Sequence, residues 1–302
     1  MNTSDFSEIK KVNLTNGETY AYREKAAADT SKPTKTMLFL HATLCSSKML
    51  DTGDFLEELV KAFPHHRFLA TDFRGNGNSS YNTKLDNNAQ IADDIKLFLD
   101  ALKIDKVDLV GTCLGGYVSG VFCIRYPERV DNCILIGAVT HLGAAHLFTK
   151  ENFPKTAKDI DNFPHFQYLQ PNIDSHNLKE LKPIMGGFHP NTWIIAKNFD
   201  ALLDEIAMCK NLREVFYGEA YGNYSSRNNG YTDGNKDVEK FKSRLLIIHG
   251  EEDKTVPVEH ARQMAQDVKG TTIHTLPGVG HFTWYDDLTT TVKLMKEFLA
   301  WI

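Results

Sequence analysis

Several features that assign a chain to a common functional class are missing from this sequence. No stretch approaches the roughly 18 consecutive apolar residues that a membrane-spanning helix requires, and residues 1–10 contain no apolar signal-peptide core. There is no long run of basic residues, and the formal net charge is −5. The sequence therefore indicates neither a nucleic-acid partner nor a membrane partner.

Metal-binding and disulfide signatures are absent too. The chain has no Cys-x-x-Cys pair and no His-Glu-x-x-His motif, so we expect no metal and no cofactor. Its five cysteines are an odd number, scattered along 302 residues, which is not the pattern of a disulfide framework. We therefore expect free thiols and a cytoplasmic location. Nothing in the sequence indicates an oligomeric state.

What the chain does contain is a cysteine bracketed by glycines between a strand pattern and a helix pattern. A β-rich run at 106–110 leads into Gly-Thr-Cys-Leu-Gly at 111–115, and a helix-compatible stretch follows at 117–125. The glycines let a strand and a helix pack closely around a strained turn. Such a turn places its central side chain at the helix N-terminus, where the helix dipole favours a thiolate. We predict that Cys113 is a nucleophile; the alternative is a buried cysteine in an ordinary turn.

A nucleophile of this kind needs a base and an acid that orients the base. His281 lies in a glycine-rich loop before the last helix pattern, from which it can reach the carboxyl ends of parallel strands. Asp253 follows the strand pattern at 244–250 and is the preferred acid, with Glu252 as second candidate. A surface loop histidine is the alternative for His281, but the order of the three motifs favours a catalytic triad.

Strand and helix patterns alternate along most of the chain. Two alternating segments flank Asn16-Gly17, which is a hairpin signal. Short apolar runs, such as those at 36–40 and 132–136, are typical of strands covered on both faces. The sequence therefore predicts an α/β fold with a doubly wound, mostly parallel sheet.

The alternation stops between residues 141 and 240. This region has helix-like pieces that prolines should break; they are Pro154, Pro164, Pro171, Pro183 and Pro190. We interpret 141–240 as an inserted, mainly helical lid, called the lid segment below. The core would then consist of residues 1–140 and 241–302.

We expect aromatic side chains of the lid segment to face the nucleophile and to form an apolar pocket. The candidate substrate-binding residues are Cys45, Phe148, Trp193 and Phe282. For Cys45 the alternative is a small buried apolar side chain. Arg74 is expected to tie loops together near the site rather than to bind substrate.

These motifs, in this order, resemble the α/β-hydrolase superfamily over nearly the whole chain. Its marks are the cysteine turn, a loop that begins with His41, Asp-x-Arg-Gly-x-Gly-x-Ser at 72–79, and the ends Gly-x-x-Asp at 250–253 and Gly-x-Gly-His at 278–281. The resemblance implies an oxyanion hole formed by the backbone N–H groups of Thr43 and Leu114.

The chain departs from the superfamily pattern at two positions. Cys113 stands where most members have serine, and Gly-x-Cys-x-Gly-Gly resembles the turns of dienelactone hydrolases and polyhydroxyalkanoate synthases without a close match to either. Ala42 stands where glycine is usual. If position 42 required a positive φ, the oxyanion hole would have a different shape.

Taken together, the sequence predicts a hydrolase of an ester, lactone or thioester of a small apolar acyl substrate, acting through a covalent acyl-cysteine. An acyltransferase or cyclase that uses the same intermediate is the first alternative, because amines and thiols attack a thioester readily. A non-catalytic ligand-binding protein is the second. A serine-to-cysteine replacement made in the laboratory would give the same sequence. The substrate and the acyl acceptor stay open.

Overall fold

One sheet organises the described part of the protein. The computed structural model describes residues 6–144, 154–188, 195–220, 238 and 240–300. Within these ranges, eight strands pair in the order β1-β2-β4-β3-β5-β6-β7-β8. The strands are β1 (Lys10–Asn13), β2 (Thr19–Lys25), β3 (Lys35–Leu40), β4 (His66–Thr71), β5 (Val107–Cys113), β6 (Val130–Ala138), β7 (Arg244–Gly250) and β8 (Thr272–Leu276).

The hairpin predicted at Asn16-Gly17 forms one edge of the sheet. Strands β1 and β2 pair antiparallel, with Asn13 opposite Thr19. Gly17 has a φ of 87°, which only glycine adopts without strain. Strand β2 then pairs antiparallel with β4, so the hairpin is joined to the rest of the sheet.

The other strands are parallel. Strand β3 pairs with β4 and β5, and β5, β6, β7 and β8 follow in that order, each parallel to the next. Every residue of β5 is buried, as expected for a strand with helices over both faces. The predicted mostly parallel, doubly wound sheet is confirmed.

The helices connect the strands and cover the sheet. They are α1 (Phe55–Ala62), α2 (Gln90–Ala101), α3 (Leu114–Arg125), α4 (Pro164–Asp174), α5 (Leu178–Phe188), α6 (Phe199–Ile206), α7 (Leu212–Ala220), α8 (Val258–Asp267), α9 (Thr283–Asp286) and α10 (Leu288–Leu299). Helix α10 buries Val292, Met295 and Phe298 along one stripe, the spacing of an amphipathic helix. None of the described helices is long and apolar enough to cross a membrane.

The lid segment leaves the sheet after β6 and returns at β7, and these two strands are direct neighbours. Its described part contains α4 to α7. The expectation that prolines break this region is wrong at two positions, because Pro171 lies inside α4 and Pro183 inside α5. A proline removes one helical hydrogen bond, so each of these two helices continues past one missing bond. Pro164 instead begins α4.

A buried ion pair ties the lid segment to the sheet. Arg23 of β2 donates from both terminal nitrogens to Glu205 of α6, with Nη1 3.2 Å from Oε2. Ser46, in the loop after β3, donates its hydroxyl to the same carboxylate. Arg23 Nη1 also donates to Ser47 Oγ at 2.5 Å. Helix α6 is therefore joined both to the sheet and to the loop that follows β3.

Arg74 ties loops together, as the sequence analysis predicted. Its Nε and Nη2 atoms donate to Asp94 of α2 at 2.8 and 2.5 Å. Its Nη1 atom donates to the carbonyl of Thr83 at 3.3 Å. The guanidinium is thus fully engaged in holding the segment 72–79 against α2.

Candidate active site

Cys113 lies at the junction of a strand and a helix. Strand β5 ends at Cys113, and α3 begins at Leu114. The backbone of Cys113 has φ 50° and ψ −120°, a conformation that is costly for a residue with a side chain and that persists only where its surroundings impose it. The carbonyl of Cys113 accepts a hydrogen bond from Val139 N–H at 3.0 Å, which helps to hold the turn.

The flanking glycines are required by close backbone contacts. A Cβ atom on Gly111 would lie 2.3 Å from Ser119 Oγ, and one on Gly115 would lie 2.0 Å from the carbonyl oxygen of Leu40. Both distances are far below van der Waals contact. The glycine pattern therefore reflects how tightly β5, α3 and β3 pack around Cys113.

His281 and Asp253 form a short hydrogen bond. His281 Nδ1 donates to Asp253 Oδ2 at 2.7 Å. The other carboxylate oxygen, Oδ1, accepts from the backbone N–H groups of Thr255 and Val256 at 2.8 and 2.9 Å. Glu252, the second acid candidate, is exposed. The structure thus brings Asp253, and not Glu252, to His281.

The charges of this group reinforce each other. Burial alone lowers the pKa of His281, but the Asp253 carboxylate and the neighbouring Cys113 outweigh it and raise the pKa to about 10. Burial raises the pKa of Asp253, but His281 and His249 hold it well below its usual range. At neutral pH the site therefore holds an imidazolium next to an ionised carboxylate, with the Cys113 sulfur within reach of the ring.

Two further glycines set the position of the His281 loop. A Cβ atom on Gly137, near the end of β6, would lie 2.0 Å from the carbonyl oxygen of His281. A Cβ atom on Gly250, at the end of β7, would lie 2.2 Å from the carbonyl oxygen of Gly280. Gly250 begins the Gly-x-x-Asp motif at 250–253, whereas Gly137 belongs to no motif of the sequence, although both stand at the carboxyl ends of buried strands.

The loop after β3 is held by a buried histidine. His41 Nδ1 donates to the carbonyl of Ala42 at 2.7 Å, and His41 Nε2 accepts from Phe73 N–H at 3.0 Å. Burial lowers the pKa of His41 to about 4, so the ring is neutral and the two nitrogens have fixed roles. The positive φ in this loop falls on Leu44, at 67°, and not on Ala42. The alanine at position 42 therefore needs no glycine-only conformation.

Both residues predicted for the oxyanion hole lie beside the cysteine. Leu114 is the first residue of α3, so its N–H has no hydrogen-bond acceptor within the helix. Thr43 Oγ1 lies 3.8 Å from Cys113 Sγ. Their backbone N–H groups stay the predicted oxyanion donors.

The predicted substrate-binding residues fall into two groups. Phe148 and Trp193 lie outside the described residues. Cys45 and Phe282 are fully buried, and the Phe282 ring lies 4.6 Å from the ring of His281 and 5.3 Å from that of Trp284. Phe282 thus packs against the imidazole of His281, and a substrate-binding role for Cys45 and Phe282 stays a prediction.

Sequence reasoning missed one side chain at this site, His249. Its Nε2 atom lies 3.1 Å from Asp253 Oδ2 and 2.9 Å from the carbonyl oxygen of Val256. The available signal was a histidine at the carboxyl end of a buried strand, four residues before the acid.

The five cysteines are all free thiols, but their surroundings differ. Burial raises the pKa of Cys45 and Cys133 well above the usual range, and it raises that of Cys209 to about 12. These three thiols are therefore poor nucleophiles at neutral pH. In the described part of the chain, no cluster of three or more histidine, cysteine or acidic side chains is arranged to hold a metal ion.

Comparison with known protein sequences gives matches among hydrolases. A family profile described as alpha/beta hydrolase fold matches residues 35–173. The chain is 24% identical to a 2-hydroxy-6-oxo-2,4-heptadienoate hydrolase from Pseudomonas putida, over 67% of this chain and 66% of that protein. It is 27% identical to a 2-hydroxy-6-oxononadienedioate/2-hydroxy-6-oxononatrienedioate hydrolase from Escherichia coli, over 81% of this chain and 80% of that protein.

Comparison with solved structures identifies the fold. A hydrolase from Pseudomonas aeruginosa superposes with a TM-score of 0.72 at 20% sequence identity, covering 98% of this chain and 99% of that one. The agreement extends over the whole length of both chains. The protein therefore has the α/β-hydrolase fold, as the motifs in the sequence predicted.

Proposed function

We propose that this protein is a hydrolase of small carbonyl compounds and that it acts through a covalent intermediate on Cys113. The observation that carries the proposal is that Cys113, on its strained turn, lies close enough to His281 to shift its pKa, while His281 Nδ1 donates to Asp253 at 2.7 Å. Nucleophile, base and orienting acid are the parts that acyl-enzyme chemistry requires. The hydrolases with similar sequences support the same reaction class.

The first half of the reaction forms a thioester. In the proposed mechanism Cys113 reacts as a thiolate and His281 carries the proton, in keeping with the raised pKa of this imidazole, about 10. The Cys113 thiolate attacks the substrate carbonyl carbon, and the resulting oxyanion accepts hydrogen bonds from the N–H groups of Thr43 and Leu114. His281 then gives its proton to the leaving group as the bond to that group breaks.

The second half regenerates the enzyme. His281, now neutral, removes a proton from water, and the hydroxide attacks the thioester carbonyl carbon. The oxyanion forms in the same hole, the carbon–sulfur bond breaks, and the acid product leaves. Asp253 stays ionised throughout, because the neighbouring histidines hold its pKa well below its usual range.

The proposed substrates are esters, lactones or thioesters with a small apolar acyl group. A second candidate class is favoured by the sequence similarity that covers 81% of the chain. By their names, the relatives in question act on 2-hydroxy-6-oxo dienoates, which contain a ketone and no ester. Hydrolysis of such a ketone breaks a carbon–carbon bond, and the same thiolate, imidazole and oxyanion donors would act on its carbonyl group.

Intact-protein mass spectrometry tests the covalent intermediate. The protein is incubated with a panel of small aryl esters, lactones and acyl thioesters, and with a 2-hydroxy-6-oxo dienoate. We expect an adduct of acyl mass that peptide mapping places on Cys113, together with release of free acid. The variants Cys113→Ala and His281→Ala should each show no turnover. Their effects should not be additive, so the double variant should lose no more activity than either single variant.

The matched control is Cys123→Ala, which removes a buried thiol from α3, the helix that begins directly after Cys113, and should keep both adduct and turnover. Near-normal turnover by Cys113→Ala would contradict the covalent mechanism. Adding an amine or a thiol to the assay determines the acceptor: acyl product formed at the expense of free acid would identify a transferase instead of a hydrolase.

A further inference from the structure

A second histidine contacts the carboxylate of Asp253. His249 is the penultimate residue of β7 and has no exposed surface. Its Nε2 lies 2.9 Å from the carbonyl oxygen of Val256 and 3.1 Å from Asp253 Oδ2. Because a carbonyl oxygen can only accept, Nε2 carries the hydrogen and donates to both oxygens.

With His249 included, Asp253 is fully hydrogen-bonded. Oδ1 accepts from two backbone N–H groups, those of Thr255 and Val256. Oδ2 accepts from the two imidazoles of His281 and His249. A carboxylate offers about four acceptor sites, so each one has a donor. The carboxyl group can then neither rotate nor take up a proton without losing one of these bonds.

The backbone alone does not achieve this arrangement. Glu252 N–H donates to the carbonyl of Val279 at 2.9 Å, and Glu251 N–H donates to that of Leu276 at 3.0 Å. These bonds fix the distance between the two loops. The backbone N–H groups of Thr255 and Val256 hold Oδ1, but the donors to Oδ2 are side chains, and His249 is the donor that shares this oxygen with His281.

An apolar role explains His249 less well. Burying an imidazole whose nitrogens make no hydrogen bonds destabilises the folded state relative to a buried phenylalanine or leucine of similar volume. Within the described residues, His249 Nδ1 has no hydrogen-bond partner, so the position already bears such a cost. The hydrogen bonds of Nε2 offset this cost, and the one to the Asp253 carboxylate has a charged acceptor.

We propose that His249 is a positioning residue: its Nε2–H fixes Asp253 Oδ2 against His281 Nδ1 and shares the carboxylate charge. Asp253 then stays ionised while His281 alternates between imidazolium and imidazole. This role rests on the proposed function, because it acts through His281. Removing the donor leaves the substrate contacts intact and disturbs only the orientation of the base.

Two variants of the full chain separate the donor from the bulk of the ring. His249→Phe keeps a ring of similar size and removes the donor, whereas His249→Gln keeps a terminal N–H at similar reach. Two measurements are made: kcat and KM on a thioester from the panel, and the proton NMR resonance of His281 Nδ1–H, which a short bond to a carboxylate moves far downfield.

We expect His249→Phe to lower kcat about tenfold to a hundredfold, the effect of losing a hydrogen bond to a charged group, with KM unchanged. The downfield resonance should move upfield or broaden. His249→Gln should keep kcat within about threefold of the wild type, since a donor is retained, and should keep the resonance. A wild-type kcat and resonance in His249→Phe would overturn the proposal, and so would identical losses in both variants.

Thermal melting completes the test. If His249→Phe only lowers the melting temperature and leaves the resonance in place, His249 has a structural role and the proposal is wrong. The resonance requires no substrate, so it decides on His249 even if no compound of the panel is hydrolysed. Conversely, normal turnover by Cys113→Ala would contradict the proposed function. The role of His249 would then be decided by the His281 proton resonance in the two His249 variants.

Discussion

Asp253 and Cys113 both face the imidazole of His281, and their effect on its pKa opposes that of burial. Desolvation disfavours the imidazolium, but Asp253 and Cys113 together raise the pKa of His281 to about 10. The folded state therefore binds this proton more tightly than the unfolded state, where the pKa is about 6.5. The resulting stabilisation is complete below about pH 6.5 and is lost as the pH rises towards about 10.

Replacing the thiol separates the effect of Cys113 on the pKa of His281 from that of Asp253. In Cys113→Ala the carboxylate is the remaining partner, so the pKa of His281 should fall by at least about one unit. Titration of the imidazole by NMR measures it directly, with Cys123→Ala as the control that should leave the pKa unchanged. An unchanged pKa in Cys113→Ala would mean that the thiolate and the imidazolium do not form an ion pair.

The residues that sequence reasoning identified have short-range signals. The Gly-Thr-Cys-Leu-Gly pattern and the Gly-x-Gly-His pattern each predict a turn that only certain residues can form. In the structure, Cys113 and Asp253 both lie close to His281. His249 had no such signal, because a histidine near the end of a strand is equally compatible with simple burial. Its contact with Asp253 depends on how the chain returns after β7.

At the scale of elements, the strands were predictable and the lid helices less so. The hairpin and the apolar runs carry their periodicity within a few residues, and each forms a strand. Pro171 and Pro183 lie inside α4 and α5 because a helix that packs well can continue through one missing hydrogen bond. The contact of Gly137 with His281 joins β6 to a loop 144 positions later, and no local pattern reports it.

That contact predicts an asymmetry between two glycines with similar backbones. Gly137→Ala would place a Cβ atom 2.0 Å from the carbonyl oxygen of His281, at a φ of 52°. Gly278 has a φ of 73° and nothing within 4 Å of its Cβ position. Gly137→Ala should therefore displace the His281 loop and abolish turnover, whereas Gly278→Ala should cost only about 1 kcal/mol of backbone strain and stay active.

The measurement is kcat for both variants, with circular dichroism to confirm that each is folded. Equal activity of the two variants would mean that the loop adjusts easily, and that the end of β6 does not position the base. A loss in Gly278→Ala alone would assign the effect to the flexibility of the loop rather than to the contact.

At the scale of the whole molecule, the sheet and the lid segment meet at a few buried polar contacts. Besides the Arg23–Glu205 pair, Lys210 N–H donates to the carbonyl of Gly75 at 2.7 Å, and Asn211 Nδ2 donates to that of Arg74 at 2.5 Å. The ion pair joins residues 182 positions apart, so nothing in the local sequence marks it. Arg23 and Glu205 also contact Ser47 and Ser46. These two serines lie in the loop that follows β3, and the same loop carries Thr43.

Glu205→Gln tests how much the Arg23–Glu205 ion pair contributes to the free energy of unfolding. The variant leaves the guanidinium of Arg23, which is 3% exposed, without a counter-charge, and breaking a buried pair in this way costs about 3–5 kcal/mol. Asp200→Asn is the matched control on the same helix, because its ion pair with Lys182 is on the surface, with the Asp200 side chain 80% exposed. Such a pair contributes at most about 1 kcal/mol.

Urea denaturation of the two variants should show a large loss of unfolding free energy for Glu205→Gln and a small one for Asp200→Asn. The double variant Arg23→Met/Glu205→Leu should recover part of the loss, since removing both charges also removes the unpaired one. If Glu205→Gln were no less stable than Asp200→Asn, water would have to reach Arg23, and the lid segment would be held by its apolar contacts instead.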